Sequence, residues 1–167
     1  MDFSKFKTSD WLKVGGAIAF FVFGFFAWID FGGLIHFNVF HFFWTGTVPW
    51  MLLMLTGAIT ALLALDIMKP GKLPWPLIML GATGLAAFLL VIRLLFNPFP
   101  FEVDRGFGMV AGTIAALVAF AGAFQAFKEA GGDLNDLKDV EKLKSQFGMT
   151  AAHGDSSPLP PPPPPPT

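Results

Sequence analysis

The sequence predicts an all-α integral membrane bundle of four transmembrane helices, followed by a short cytoplasmic helix and a disordered polyproline tail. Three observations predict it: four apolar runs of span length, a lopsided placement of basic residues, and an abrupt change of composition after Phe127. Only 14% of the 167 residues are charged, against about 25% in a typical soluble domain. The 21 Phe residues are more than a soluble core of this size would bury.

Residues 1–10 are expected to form a cytoplasmic N-terminus, and residues 11–127 the membrane domain. The runs Trp11–Phe31, Val48–Met68, Trp75–Phe96 and Phe107–Phe127 are each about 20 residues, the length a helix needs to cross about 30 Å of hydrocarbon. None carries the polar face that a soluble amphipathic helix repeats every turn. Trp11, Trp50 and Trp75 stand at run ends, where their amphipathic rings meet the headgroup layer. The first run follows Lys5, Lys7 and Lys13 as in a signal peptide, but it ends in Ala27-Trp-Ile-Asp-Phe31 with no small-x-small cleavage pattern, so a retained helix is expected.

The segment Gly32–Thr47 has no formal charge and is crowded with aromatics. It is expected to lie on the outer leaflet or fold back over the bundle, or to serve as a partner's contact surface. His36 and His41 in this segment invite a metal reading. Their spacing of five sets them about 140° apart on a helix, with no Cys anywhere in the chain. No metal or other cofactor is therefore expected, and haem lacks an axial His within any run.

Between the second and third runs, Lys69-Pro-Gly-Lys-Leu-Pro74 is a short helix-breaking turn. Asn97-Pro98-Phe99-Pro100 ends the third run, since Pro lacks a backbone N–H and disfavours helix in the residue before it. Asp104 is a candidate cap for the fourth helix, and with Glu102 and Arg105 it otherwise reads as a solvated loop. Of the 11 basic residues, Lys5, Lys7, Lys13, Lys69, Lys72, Lys128, Lys138, Lys142 and Lys144 fall on one side of a four-span chain and Arg93 and Arg105 on the other. The positive-inside rule then places both termini in the cytoplasm of a multi-pass cell-membrane protein.

Within lipid, helices associate through close-packed small residues. Gly108, Gly112, Ala115, Ala119, Gly122 and Ala126 recur at spacings of 4, 3, 4, 3 and 4, which sets them on one stripe of the fourth span. This stripe is a helix-packing face, for a neighbour in the same chain or for a second membrane protein. Asp30 and Arg93 fall at similar depth near the outer side and are expected to form an ion pair, or else Arg93 snorkels to the headgroups. Asp66 is expected to pair locally with Lys69.

Beyond the spans, residues 128–150 read as a cytoplasmic juxtamembrane helix of moderate amphipathicity, with Asp133 as a cap after Gly131-Gly132. Residues 151–167 end in seven consecutive Pro, a polyproline II rod suited to aromatic grooves or a tail without a partner. The basic residues gather into no face for nucleic acid.

The Lys69-Pro-Gly-Lys72 turn, the Phe96-Asn-Pro98 exit and the proline end give a layout that resembles the small four-span membrane proteins of actinobacteria with a Pro-rich cytoplasmic tail. That resemblance implies a part in envelope maintenance or division. This tail is shorter than in the long-tailed members and lacks their Gln, Tyr and Gly repeats, and no functional residue carries over.

Neither a nucleophile–base set nor a metal cluster can be assembled from the sequence, so an enzyme is not expected. Small four-span multidrug exporters carry an acidic residue inside the first helix, where this chain has Ala17–Gly24 without one. The function expected is an accessory or scaffold subunit in contact with lipid and with another membrane protein or a second copy. The alternative is a small transporter or channel for a neutral or apolar solute, lined by Thr56, Thr60 and Thr83.

Overall fold

The computed structural model describes residues 3–31, 35–71, 73–96 and 104–133. The chain divides into two units, Met1–Asp133 and Leu134–Thr167. The expected cytoplasmic helix past Asp133, the polyproline tail 151–167, Lys72, Glu102 and the Asn97–Pro100 exit lie outside the described residues.

Helix α1 covers Thr8–Gly24. Its first turn is fastened by the Asp10 carboxylate, which accepts the Lys7 backbone N–H at 3.2 Å. The apolar run continues to Phe31, yet the helix ends seven residues earlier. There the Phe23 carbonyl accepts both the Phe26 N–H, at 3.3 Å, and the Trp28 indole N–H, at 3.2 Å, which ties the departing chain to the last turn. The chain then turns into strand β1 (Ile29–Phe31), which pairs antiparallel with β2 (Ile35–Phe37) and β3 (Asp104–Arg105) in the order β2-β1-β3. Ile and Phe suit a strand as well as a membrane helix, and pairing with residues over 70 positions away decides between them. Asp104 belongs to β3, and Gly106 occupies the position before the fourth helix, so the cap expected of Asp104 is not formed.

A short turn at Val39–His41 is capped by the Asn38 side chain, which accepts the Phe40 N–H at 3.2 Å. A π-helical turn, Phe43–Thr47, then leads into α2 (Val48–Ala64). Helix α2 stops at Asp66, whose φ of 55° reverses the backbone. Helix α3 covers Trp75–Leu95 and α4 covers Phe107–Glu129. Gly131, at φ 80°, ends α4: its N–H and that of Gly132 return to the carbonyls of Lys128 and Phe127.

Among the described residues, three helices are long and apolar enough to cross a membrane: Phe43–Ala64, Trp75–Leu95 and Phe107–Glu129. Helix α1 packs on α2 and α4, and α3 packs on the same two, which closes the four into a ring. The centre is filled by Phe20, Leu53, Ala86, Leu90, Ala116 and Ala119, with Trp28 and Val39 plugging the end nearest the sheet. Outward faces carry exposed Ile18, Phe21, Leu55, Phe88, Ile114 and Leu117, an apolar exterior that suits lipid rather than water.

The α1–α4 contact is the most extensive, and small residues make it possible. A Cβ on Gly16 would lie 2.8 Å from the Ala115 carbonyl oxygen and from Ala119 Cβ. One on Gly122 would lie 2.7 Å from Leu12 Cβ and 2.9 Å from the Ser9 carbonyl oxygen, and one on Gly108 would lie 2.8 Å from that of Phe23. The stripe from Gly108 to Gly122 is thus laid against the whole length of α1.

Candidate functional site

Polar side chains gather at the end of the ring that holds the α2–α3 turn. Here the start of α1, the end of α2, the start of α3 and the end of α4 surround a cleft of about 400 Å³. Lys13, about one and a half turns into α1, is only 5% exposed. A lone ammonium at that depth would be costly, and its Nζ stands 3.0 Å from Asp10 Oδ1, one turn before it. The sulfur of Met79 lies 4.0 Å away on α3, and the Thr60 hydroxyl also donates to that sulfur, at 3.5 Å.

Two contacts join distant parts of the chain at the rim. Lys5 forms an ion pair with Asp66, so Asp66 reaches across the cleft rather than to Lys69 as its spacing suggested. The hydroxyl of Ser9, itself buried, donates to Glu129 Oε2 at 3.1 Å. Lys7 also lines the cleft. Its walls therefore hold the cations Lys5, Lys7 and Lys13 with the anions Asp10, Asp66 and Glu129. The cleft lining thus presents both signs of charge.

At the opposite end, the structure sets Asp30 and Arg93 against different groups. Asp30 faces His36 across the β1–β2 ladder, with Nδ1 3.4 Å from Oδ1. Arg93 is 7% exposed, and its guanidinium lies over the Phe42 ring, 4.3 Å from the centroid. The aromatic segment thus folds back over the bundle and supplies the Arg93 cation with a π face. His41 turns to Asn38, with 2.9 Å between Nδ1 and Oδ1.

Of the three threonines considered as a pore lining, Thr60 donates across to Met79 on α3 and lines the cleft, while the other two are turned onto their own helices. Thr56 donates to the Leu52 carbonyl at 2.8 Å and Thr83 to that of Met79 at 2.7 Å. Of the stripe, Gly108, Gly112, Ala115, Ala119 and Gly122 meet or adjoin α1, while Ala126 lines the cleft.

Sequence reasoning passed over Ser9, Asp10, Lys13 and Glu129 as site residues. One signal was available for Lys13, a cation placed inside an apolar run. Ser9 and Glu129 are 120 positions apart and carried none.

No family model, curated protein or solved structure matches this chain. The reading of function therefore rests on the geometry.

Proposed function

We propose that the chain is a four-span membrane protein, with both termini cytoplasmic, that serves as an accessory or scaffold subunit for another membrane protein. Helix α1 has 17 residues, about 25 Å at 1.5 Å per residue. Its contacts with α4 run from Gly108 to Gly122, which supports α1 crossing at the same depths as a helix of full span length. The distribution of Lys supports the orientation.

The observation that carries the scaffold reading is an aromatic shoulder beside the sheet. Phe40, Phe43 and Trp44 are exposed, Trp44 by 73%, on a segment held by the Asn38 cap and the Phe42–Arg93 contact. Rigidly presented aromatics are what partner surfaces use as anchors. Transport is the weaker reading, since the Thr56 and Thr83 hydroxyls face their own helix carbonyls, Thr60 is engaged by the Met79 sulfur, and apolar side chains fill the ring. The resemblance in layout to the small four-span actinobacterial proteins suggests envelope maintenance or division as the process served.

Crosslinking in intact native membranes, followed by affinity capture and mass spectrometry, tests this function. The expected result is a reproducible membrane-protein partner whose yield falls on Trp44→Ala or on removal of residues 134–167. Efficient crosslinking that recovers only the chain itself would count against a partner and make solute flux in liposomes the next measurement.

A further inference from the structure

The polar cleft does not end at the helix tips. On α1, Lys13 in the cleft is followed by Val14, Ile18 and Phe21, which line one side of an apolar groove of about 320 Å³. On α2, Ala64 in the cleft lies one turn from Ala61, which with Ala58 and Met54 lines the other side. The linings of the charged cleft and of the apolar groove thus adjoin along both helices of the α1–α2 seam. From Val14 to Phe21 the groove covers about 10 Å of helix, a large part of one leaflet's acyl depth.

We propose that cleft and groove together hold one membrane phospholipid whose headgroup carries both a phosphate and a primary ammonium. Charge complementarity selects the headgroup. Lys5 is neutralised by Asp66 and Lys13 by Asp10. Lys7 and Glu129 have no ion pair among the described residues, although the Ser9 hydroxyl donates to Glu129. One cation and one anion on the same cleft match a zwitterion: Lys7 donates to the phosphate, and the lipid ammonium donates to Glu129. A quaternary ammonium has no N–H to donate, and an anionic headgroup without an ammonium leaves Glu129 facing like charge. One acyl chain fills the groove between Ile18 and Ala58.

The proposal rests on the membrane placement argued above and not on any protein partner. Its test is native mass spectrometry of the full chain from mixed micelles holding equal phosphatidylethanolamine, phosphatidylcholine and phosphatidylglycerol of matched acyl chains. Phosphatidylethanolamine is expected to be retained about 5-fold over each of the others, the scale of one solvent-exposed charge-assisted contact. Glu129→Gln should bring the three lipids close to parity, and Lys7→Ala should lower retention of all three while keeping their order; both positions are exposed, and neither change should lower the melting temperature. Ala58→Phe, on the groove's exposed side, should reduce retention of all three while preserving their order. Equal retention by the unaltered chain, a preference for phosphatidylglycerol, selectivity that survives Glu129→Gln, or retention indifferent to Lys7→Ala would overturn the headgroup assignment. Retention indifferent to Ala58→Phe would overturn the groove. If the chain still fractionates with membranes in those cases, the lipid site alone has failed and the membrane placement stands.

Discussion

Gly15 and Gly16 are adjacent on α1, and Ala substitution should act on them in opposite directions. Both replacements remove a helix-interior glycine, a gain of about 1 kcal/mol of helix propensity. A Cβ at Gly15 meets nothing within 4 Å. At Gly16 it would stand 2.8 Å from the carbonyl oxygen of Ala115 and from the N and Cβ of Ala119, and two of these three atoms are backbone. A comfortable carbon–oxygen approach is about 3.3–3.6 Å, so α1 and α4 must part by about 0.5–0.8 Å. Overpacking of this kind costs about 1–3 kcal/mol. Gly15→Ala should therefore be neutral or stabilising, and Gly16→Ala should be less stable than Gly15→Ala by about 1–3 kcal/mol. Reversible unfolding in mixed micelles, followed by tryptophan fluorescence, measures that difference. Equal stability of the two variants would refute the close α1–α4 approach, and with it the role given to the Gly108–Gly122 stripe.

Further outcomes are expected. Lys13→Ala leaves the largely buried Asp10 carboxylate without its ammonium partner and should cost about 1–3 kcal/mol; a double-mutant cycle with Asp10→Asn should show coupling between the two. Phe42→Leu keeps most of the apolar volume but removes the π face beneath Arg93, and should cost about 0.5–2 kcal/mol in the same unfolding assay. The chain has no Cys, so single cysteines report topology directly. A membrane-impermeant maleimide should label Gly131→Cys from the cytoplasmic face only and Asp104→Cys from the opposite face only, and labelling of both from one face would contradict a crossing by α4.

What the sequence made legible follows from the range over which each interaction acts. The third and fourth helices were readable to within a residue or two, because hydropathy and the nearby Pro and Gly signals are local. For Trp11–Phe31 the same reasoning placed the start three residues late and the end seven residues late. Its C-terminal third is apolar enough for a span, and pairing with Ile35–Phe37 and Asp104–Arg105 makes its last three residues a strand. The small-residue rhythm of α4 showed that something packs there, and could not say that the partner was α1, whose matching surface has just one glycine pair. The cleft was the least visible part: Lys5–Asp66 and Ser9–Glu129 join positions with no shared pattern, and only the closed ring brings them together. The contacts of Asp30 and Arg93 likewise depend on how the aromatic segment folds back, which spacing along the chain does not encode.

The pairing of the first helix with the last has a consequence for how the molecule is made. Ser9 and Glu129 are 120 residues apart, and at synthesis rates of about 5–20 residues per second roughly 6–24 s separate their emergence from the ribosome. In the proposed four-span arrangement, α1 waits in the bilayer during that interval with its Gly16 face and the buried Lys13 side uncovered. Helix α2 can shield one flank early, but the face built for α4 stays open until the end of translation. The vulnerable species in biogenesis is therefore the three-helix nascent chain, and a quality-control protease or insertion chaperone would find its mark on α1.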